Sequence, residues 1–119
     1  MAMEVFTYSD NKIVELEQKG EYCGFQTGDL VKGFFFDLKI KKAIIVGFSS
    51  DSDVCYVWAV YNPVLYHPKL KMFIAIPFNC YKVQRSLNIV ERPDLLDLTK
   101  NGLKESLSEF LERTGERLY

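Results

Sequence analysis

Lysines and aromatic rings in the middle of this sequence are the side chains best suited to bind a partner. Ammonium groups attract phosphates and carboxylates, and exposed rings stack on bases or hold cations. If the lysine-bearing segments and the rings of the neighbouring strands meet in space, they make one aromatic and basic surface. The residues that we predict for this surface are Lys39, Lys41, Lys42, Trp58, Tyr61, Tyr66, Lys69 and Lys71. The alternative is that the rings pack inside the protein while the lysines form a solvated rim that protects the sheet edges.

The charge distribution is compatible with such a surface but does not identify its partner. The net charge is −1, yet residues 32–92 hold nine basic and four acidic side chains, whereas residues 1–31 hold two basic and six acidic ones. A basic middle suits phosphates, and acidic ends suit a protein partner. We therefore expect either a nucleic acid or a protein as the partner, and the residues alone leave both open.

His67 is the single histidine of the chain and would be its natural general base at neutral pH. A catalytic arrangement also needs an orienting carboxylate and a nucleophile, and the sequence places neither beside it. Asp51 and Asp53 lie in a run of small polar residues, which makes them turn formers rather than metal ligands. The phosphate-binding glycine loops, the HExxH zinc motif and the GxSxG nucleophile motif are absent. The residues therefore favour a non-enzymatic protein with no cofactor and no metal.

Three cysteines, Cys23, Cys55 and Cys80, are widely spaced and include no CxxC pair. An odd number in apolar and aromatic surroundings is typical of buried, inert thiols rather than of a disulfide framework, so we predict three such thiols. The first residues lack the basic start and apolar core of a secretory signal, and no run approaches the ~20 apolar residues of a membrane helix. These features predict a cytoplasmic protein without a membrane partner.

The elements that must position these side chains are mostly short strands. Apolar and aromatic runs separated by turn-forming residues are typical of strands. The predicted strands are 1–8, 30–38, 43–48, 54–61, 70–76 and 82–90. Gly33 and Gly47 interrupt two of these runs and predict sharp bends or bulges. Residues 10–19 predict a short helix, because capping residues precede them and a glycine follows.

A longer helix is predicted toward the C-terminal end, where the apolar residues change to helical spacing. Leu103, Leu107, Phe110 and Leu111 share one helix face. Tight turns between the strands favour antiparallel pairing, and the lack of helical crossovers argues against a parallel sheet. We therefore predict a single α+β domain over residues 1–119. It is a small antiparallel SH3-like β-barrel or strongly bent sheet of about five strands, with a short N-terminal helix and a longer C-terminal helix.

One run of residues resembles a known family of small barrels. Gly28-Asp29-Leu30-Val31 is followed by a lysine-rich turn, the strand Ala43-Ile44-Ile45-Val46 and a closing helix. This order is similar to that of the PemK-like ribonuclease toxins, whose small SH3-like barrels cleave RNA. Lys42-Ala43 stands where that family has Arg-Pro before its second strand, so the arginine associated with catalysis is missing here.

The function that we expect is that of a small non-enzymatic binding or regulatory module, which presents the aromatic and basic surface to its partner. Two alternatives stay open. A PemK-like barrel endoribonuclease, which the resemblance implies, would use His67, Arg85 or the lysines to stabilise phosphate charge. A protein-directed inhibitor or assembly subunit would use the acidic ends of the chain instead.

Overall fold

The protein is mostly β-structure, with 61% strand. The computed structural model describes residues 2–7, 11–18, 20–35, 38–51, 54–61, 66–92 and 100–113. The strands are β1 (Ala2–Thr7), β2 (Lys12–Glu17), β3 (Leu30–Phe35), β4 (Leu38–Asp51), β5 (Val54–Tyr61), β6 (Tyr66–His67), β7 (Met72–Asn79) and β8 (Leu87–Glu91). The helices are α1 (Cys80–Ser86), between β7 and β8, and α2 (Lys100–Arg113), after β8.

Five of the strands close into a barrel. Their hydrogen-bonded order is β2-β1-β7-β5-β4, and β4 pairs back to β2 where Glu17 lies opposite Phe48. Neighbouring barrel strands are antiparallel except β1 and β7, which run parallel. A ring with an odd number of strands cannot alternate direction throughout, so one like-directed pair is unavoidable. The prediction of an antiparallel barrel is therefore wrong at this seam. Two further strands, β3 and β8, extend the sheet outward from β4.

The buried side chains of the described residues form two cores, one on each side of the long strands. The core inside the barrel contains Met3, Val5, Leu16, Leu30, Ile44, Val46, Trp58, Val60, Phe73, Ala75, Leu103 and Leu107. The second core contains Phe25, Val31, Ala43, Ile45, Phe48, Val57, Ala59, Phe78, Val83 and Leu87. Successive strand residues point to opposite faces, so β4 and β5 supply both cores alternately. Their uninterrupted apolar runs follow from this position between two cores.

Both predicted bend positions are confirmed. The pairing register shifts between Val31 and Gly33 and again between Ile45 and Gly47. Gly47 has a φ of +157°, and a Cβ built on it would lie 2.7 Å from the Cβ of Leu16. Glycine is therefore required where β4 approaches β2, and this approach is what closes the barrel.

The short N-terminal helix predicted over 10–19 is wrong. Residues 12–17 form a strand that pairs along its whole length with β1. Leu16 is buried in the barrel core and Val14 packs against it, while Ile13 and Glu15 are exposed. This is a two-residue period, and pairing with β1 satisfies backbone groups that a short isolated helix would leave exposed to water.

The strand predicted over 82–90 is wrong in its first half. Cys80–Ser86 is helix α1, which begins where the Asn79 side chain accepts a hydrogen bond from the Tyr81 backbone N–H at 2.9 Å. Val83 and Leu87 are four residues apart and both enter the second core. That spacing suits one helix face as well as one strand face, which explains the misassignment.

The predicted fold class is wrong as well, because the helices contribute less than an α+β domain requires. The N-terminal helix is replaced by β2, and the C-terminal helix α2 is short, at 14 residues. The structure is a closed five-strand barrel with two short helices. The apolar spacing in α2 is nevertheless real, since Leu103 and Leu107 are buried in the barrel core. Among the described residues, neither helix is long and apolar enough to cross a membrane.

Candidate functional site

A tight turn between β6 and β7 holds two of the predicted site lysines. The His67 Nδ1 accepts a hydrogen bond from the Leu70 backbone N–H at 3.1 Å, and the Lys71 N–H donates to the His67 carbonyl at 2.8 Å. Lys71 adopts a left-handed backbone with a φ of 55°. Lys69, Leu70 and Lys71 are exposed at the tip of this turn. The structure therefore brings both lysines to one corner of the molecule.

An apolar row on the outer face of the barrel runs up to this turn. Phe6 on β1 lies opposite Ile13 on β2 and beside Ile74 on β7, so the three side chains share one face. The Phe6 ring contacts the His67 ring, with 5.0 Å between centroids. Ile13 is 47% exposed, and Leu70 in the turn is 39% exposed. We call this surface, which consists of Phe6, Ile13, His67, Lys69, Leu70 and Lys71, the corner surface.

Three of the remaining predicted site residues, Lys42, Trp58 and Tyr66, do not join the corner surface. Trp58 is 5% exposed in the barrel core, where its Nε1 donates to the Ser49 Oγ at 2.8 Å, and Lys42 is 8% exposed. Tyr66 is 38% exposed and packs edge-on against Phe73, on the strand face opposite that of His67. The side chains of Lys39, Lys41 and Tyr61 lie outside the described residues.

Sequence reasoning missed Phe6, Ile13 and Leu70 as members of the surface. Leu70 was predicted to start a strand, whereas β7 starts at Met72 and leaves Leu70 in the turn. Phe6 and Ile13 meet only because residues 12–17 form a strand. The available signal was the alternation of Met3, Val5 and Thr7, all buried, with Glu4 and Phe6.

The Gly-Asp pair that carries the resemblance to ribonuclease toxins has a structural role. The Asp29 side chain is fully buried and accepts two hydrogen bonds from Arg92, from Nε and Nη2, each at 2.9 Å. Its Oδ2 also accepts the Gln26 backbone N–H at 2.9 Å, and Arg92 reaches the Gly24 carbonyl at 3.2 Å. The hydrogen bond to Asp29 raises the pKa of the Arg92 guanidinium above its usual value. This pair fixes the loop before β3 against the end of β8.

Arg85, a candidate in the ribonuclease alternative, is engaged within helix α1. Its Nη1 donates to the Tyr81 hydroxyl at 2.8 Å, and its guanidinium carbon lies 5.3 Å from the centroid of the Tyr81 ring. The two residues are one helical turn apart, and Tyr81 is 64% exposed. The Arg85 guanidinium therefore lies over the Tyr81 ring on the surface of α1.

The three cysteines come together, and the prediction of three buried, inert thiols is wrong. Cys23 and Cys80 form a disulfide with 6.0 Å between their Cα atoms. Cys55 lies outside this disulfide, yet the three Sγ atoms are all within 4.8 Å of one another. All three residues are half-buried. Because 57 residues separate Cys23 from Cys80, nothing in the local sequence indicated the pairing.

A shallow cleft of about 250 Å³ lies beside this cysteine cluster. Its lining residues are Cys23, Gly24, Phe25, Gln84, Leu87, Asn88 and Ile89. Of the three cysteines, Cys23 is therefore the one that faces the cleft. The Gln84 Nε2 donates to the Cys23 carbonyl at 2.8 Å and holds the cysteine turn against α1.

No protein-family model, no curated protein and no solved structure matches this chain.

Proposed function

We propose that this chain is a non-enzymatic binding module that docks a protein partner on the corner surface. The observation that carries the proposal is the exposure of Ile13 and Leu70, at 47% and 39%, on either side of the Phe6–His67 ring contact. Large apolar side chains that stay in water next to one another are typical of interaction sites. A protein segment with apolar side chains and carboxylates would fit this surface and its lysines.

The stiffness of the corner supports a binding role. The turn is held by the hydrogen bonds of His67 to Leu70 and Lys71, so the lysine side chains leave from a fixed backbone. The apolar row sits on paired strands of the closed barrel. A preorganised surface loses little conformational entropy when it binds, which favours affinity.

A protein is favoured over a nucleic acid because the exposed apolar side chains of the corner surface, Ile13 and Leu70, are aliphatic and do not stack on bases as aromatic rings do. Trp58, the ring best suited to stack on a base, is buried in the barrel core. The inhibitor or assembly-subunit alternative also has a protein partner, but it would use the acidic ends of the chain instead of the corner surface. A cytoplasmic location is part of the present proposal.

The experiment compares two isoleucines of similar exposure. Random short peptides displayed on phage are selected on the full chain, and the affinity of enriched peptides is measured by fluorescence polarisation. We expect these peptides to combine carboxylates with large apolar residues. Ile13→Ser should weaken their binding by about tenfold, because contact with one apolar anchor is lost. Ile89→Ser, which changes an isoleucine that is 40% exposed on β8, should leave the affinity unchanged.

The competing partner is tested with the same variants. Single-stranded oligonucleotides are titrated at ~50 mM salt, where phosphate contacts are strong. Tight binding that Lys69→Glu abolishes, but that Lys32→Glu on β3 does not, would replace the protein partner with a nucleic acid. Enriched peptides that bind Ile13→Ser as well as the unchanged chain would remove the corner surface from the proposal. RNA cleavage that depends on His67 would favour the endoribonuclease.

A further inference from the structure

The cysteine cluster joins three separate parts of the fold at one point. Cys23 lies in the turn before β3, Cys55 near the start of β5 and Cys80 at the first residue of α1. A structural cross-link requires only two cysteines, yet here a third thiol lies beside the disulfide, and all three sulfur atoms are within 4.8 Å of one another. Thiol–disulfide exchange needs only that a thiolate reaches one sulfur of an existing disulfide.

The strand register supplies a second way to pair these cysteines. Strands β5 and β7 are antiparallel, with Tyr56 opposite Asn79 and Val57 opposite Phe78. One further step in this register places Cys55 opposite Cys80, although the chain turns into α1 at that residue. Directly opposed positions on antiparallel strands have Cα atoms about 4.5–5.5 Å apart, which is within the range that a disulfide spans. The Sγ atoms of Cys55 and Cys80 also lie within 4.8 Å of each other, so the register and the sulfur positions both favour this second pairing.

We propose that Cys23, Cys55 and Cys80 form a thiol–disulfide exchange site that acts on small disulfides through Cys23. In the first step the Cys55 thiol loses its proton to solvent, and its thiolate attacks the Sγ of Cys80. The new Cys55–Cys80 bond forms as the Cys23–Cys80 bond breaks, and the electron pair of the broken bond stays on Cys23. One disulfide is consumed and one is made, so the step needs no oxidant.

The second step takes place at the cleft, because Cys23 is the cysteine that lines it. The Cys23 thiolate attacks a low-molecular-weight disulfide, forms a mixed disulfide with one half and releases the other half as a thiolate. The cleft volume of about 250 Å³ lies below the ~300 Å³ at which drug-sized sites begin, so the cleft suits one half of a low-molecular-weight disulfide while the other half stays in solvent. Hydrogen bonds from Gln84 to the Cys23 carbonyl and from Arg92 to the Gly24 carbonyl keep the turn in place after the bond breaks.

The positions of the three residues explain why Cys23 is the sulfur released. Cys55 packs against the second core from β5, and Cys80 joins β7 to α1 and packs against the same core. Cys23 instead sits in a turn with a left-handed backbone, at a φ of 56°. The rigid pair keeps the new disulfide, and the sulfur on the turn faces the cleft.

Peptide mapping of the full, oxidised chain with glutathione disulfide as the probe tests the proposal. Trypsin places the three cysteines in separate peptides, 20–32, 43–69 and 72–82, so every linkage has its own mass. After incubation at mildly alkaline pH, we expect glutathione on peptide 20–32 and a disulfide between peptides 43–69 and 72–82. Cys55→Ser should lose both signals and keep the disulfide between 20–32 and 72–82.

Three further outcomes decide against the proposal. Glutathione on peptide 43–69, with the original Cys23–Cys80 disulfide intact, would mean that Cys55 reacts directly and that no exchange takes place. A lack of any mixed disulfide would overturn the substrate claim. The Cys23→Ser variant tests the alternative pairing by itself, since only Cys55 and Cys80 remain to form an intramolecular disulfide under oxidation. A folded variant that fails to form this disulfide would refute the exchange step. None of these three results depends on the corner surface.

Discussion

At the scale of single residues, the Asp29–Arg92 pair shows how a polar group is tolerated inside this fold. The Asp29 carboxylate has no exposed surface, and its two oxygens accept hydrogen bonds from Arg92 and from the Gln26 backbone. Two parallel hydrogen bonds from a planar guanidinium give directional pairing that lysine cannot reproduce. The carboxylate in the Gly-Asp pair that carries the resemblance thus serves to hold a loop.

Removal of Arg92 should destabilise the fold, because it leaves a buried carboxylate without its counter-charge. We expect Arg92→Leu to lower the free energy of unfolding by about 2–3 kcal/mol. This lies below the range for a fully buried pair because the Arg92 side chain is 34% exposed. Arg113→Leu is the matched control, since Arg113 pairs with Glu91 at 53% exposure and should matter little. Urea denaturation that ranks the two variants equally would contradict this role.

The residues of the candidate site could be predicted only where local pattern was sufficient. Lys69 belongs to a loop signalled by Pro68, and its exposure follows from that loop. Lys71 was placed in the predicted strand 70–76, whereas it lies in the turn before β7. The burial of Trp58 could not be decided from the strand pattern, because that pattern does not show that both faces of the sheet are covered by a core. The cysteine cluster needed the register of β5 against β7, which is a property of the whole sheet.

At the scale of elements, the long strand β4 organises the molecule. Its first part pairs with β3, its second part pairs with β5, and it also meets β2. A strand of 14 residues can serve three neighbours because it bends at the register shift before Gly47. The apolar run 43–48 identified this strand from sequence, whereas the extent of its pairing depended on partners far along the chain.

Gly47→Ala should disrupt the close approach of β4 to β2 that closes the barrel. The added Cβ would lie 2.7 Å from the Leu16 Cβ and 3.1 Å from the Glu17 carbonyl oxygen, and the φ of +157° is unfavourable for alanine. We expect a loss of about 2–4 kcal/mol from strain and overpacking together. Gly20→Ala is the control, because no atom lies within 4 Å of its added Cβ. Thermal unfolding of both variants by circular dichroism measures the difference. Similar melting temperatures would argue against a close contact between β4 and β2 at Gly47.

The secondary-structure prediction identified the strands in the centre of the chain but failed at the elements beside them. Residues 43–46 and 54–61 are apolar or aromatic throughout because β4 and β5 lie between two cores, and such β-branched runs favour a strand over a helix. Strand β2 was misread because Ile13 and Leu16 are three residues apart, which also fits a helix. Its partner β1 decided the outcome. That error also hid the corner surface, since a helix over 10–19 would not place Ile13 opposite Phe6.

At the scale of the whole molecule, the Cys23–Cys80 disulfide links the outer turn to the junction of barrel and helix. The segment that it encloses contains β3, β4, β5, β6 and β7, which include three of the five barrel strands. Four of the eight strand pairings of the described residues, β3–β4, β4–β5, β5–β7 and β6–β7, are therefore formed inside one covalent loop. A cross-link over a loop of this length removes many conformations from the unfolded chain.

Reduction of this disulfide should therefore cost stability without changing the fold. In the Cys55→Ser background, where no third thiol can exchange, the separation of 57 residues predicts a loss of about 4 kcal/mol in the free energy of unfolding. Urea unfolding with and without a phosphine reductant measures this loss, and Cys23→Ser/Cys55→Ser/Cys80→Ser should reproduce the reduced value and ignore the reductant. The native far-ultraviolet spectrum should persist after reduction, because both cores stay intact. A loss below about 1 kcal/mol would mean that the unfolded chain gains little freedom when the bond opens.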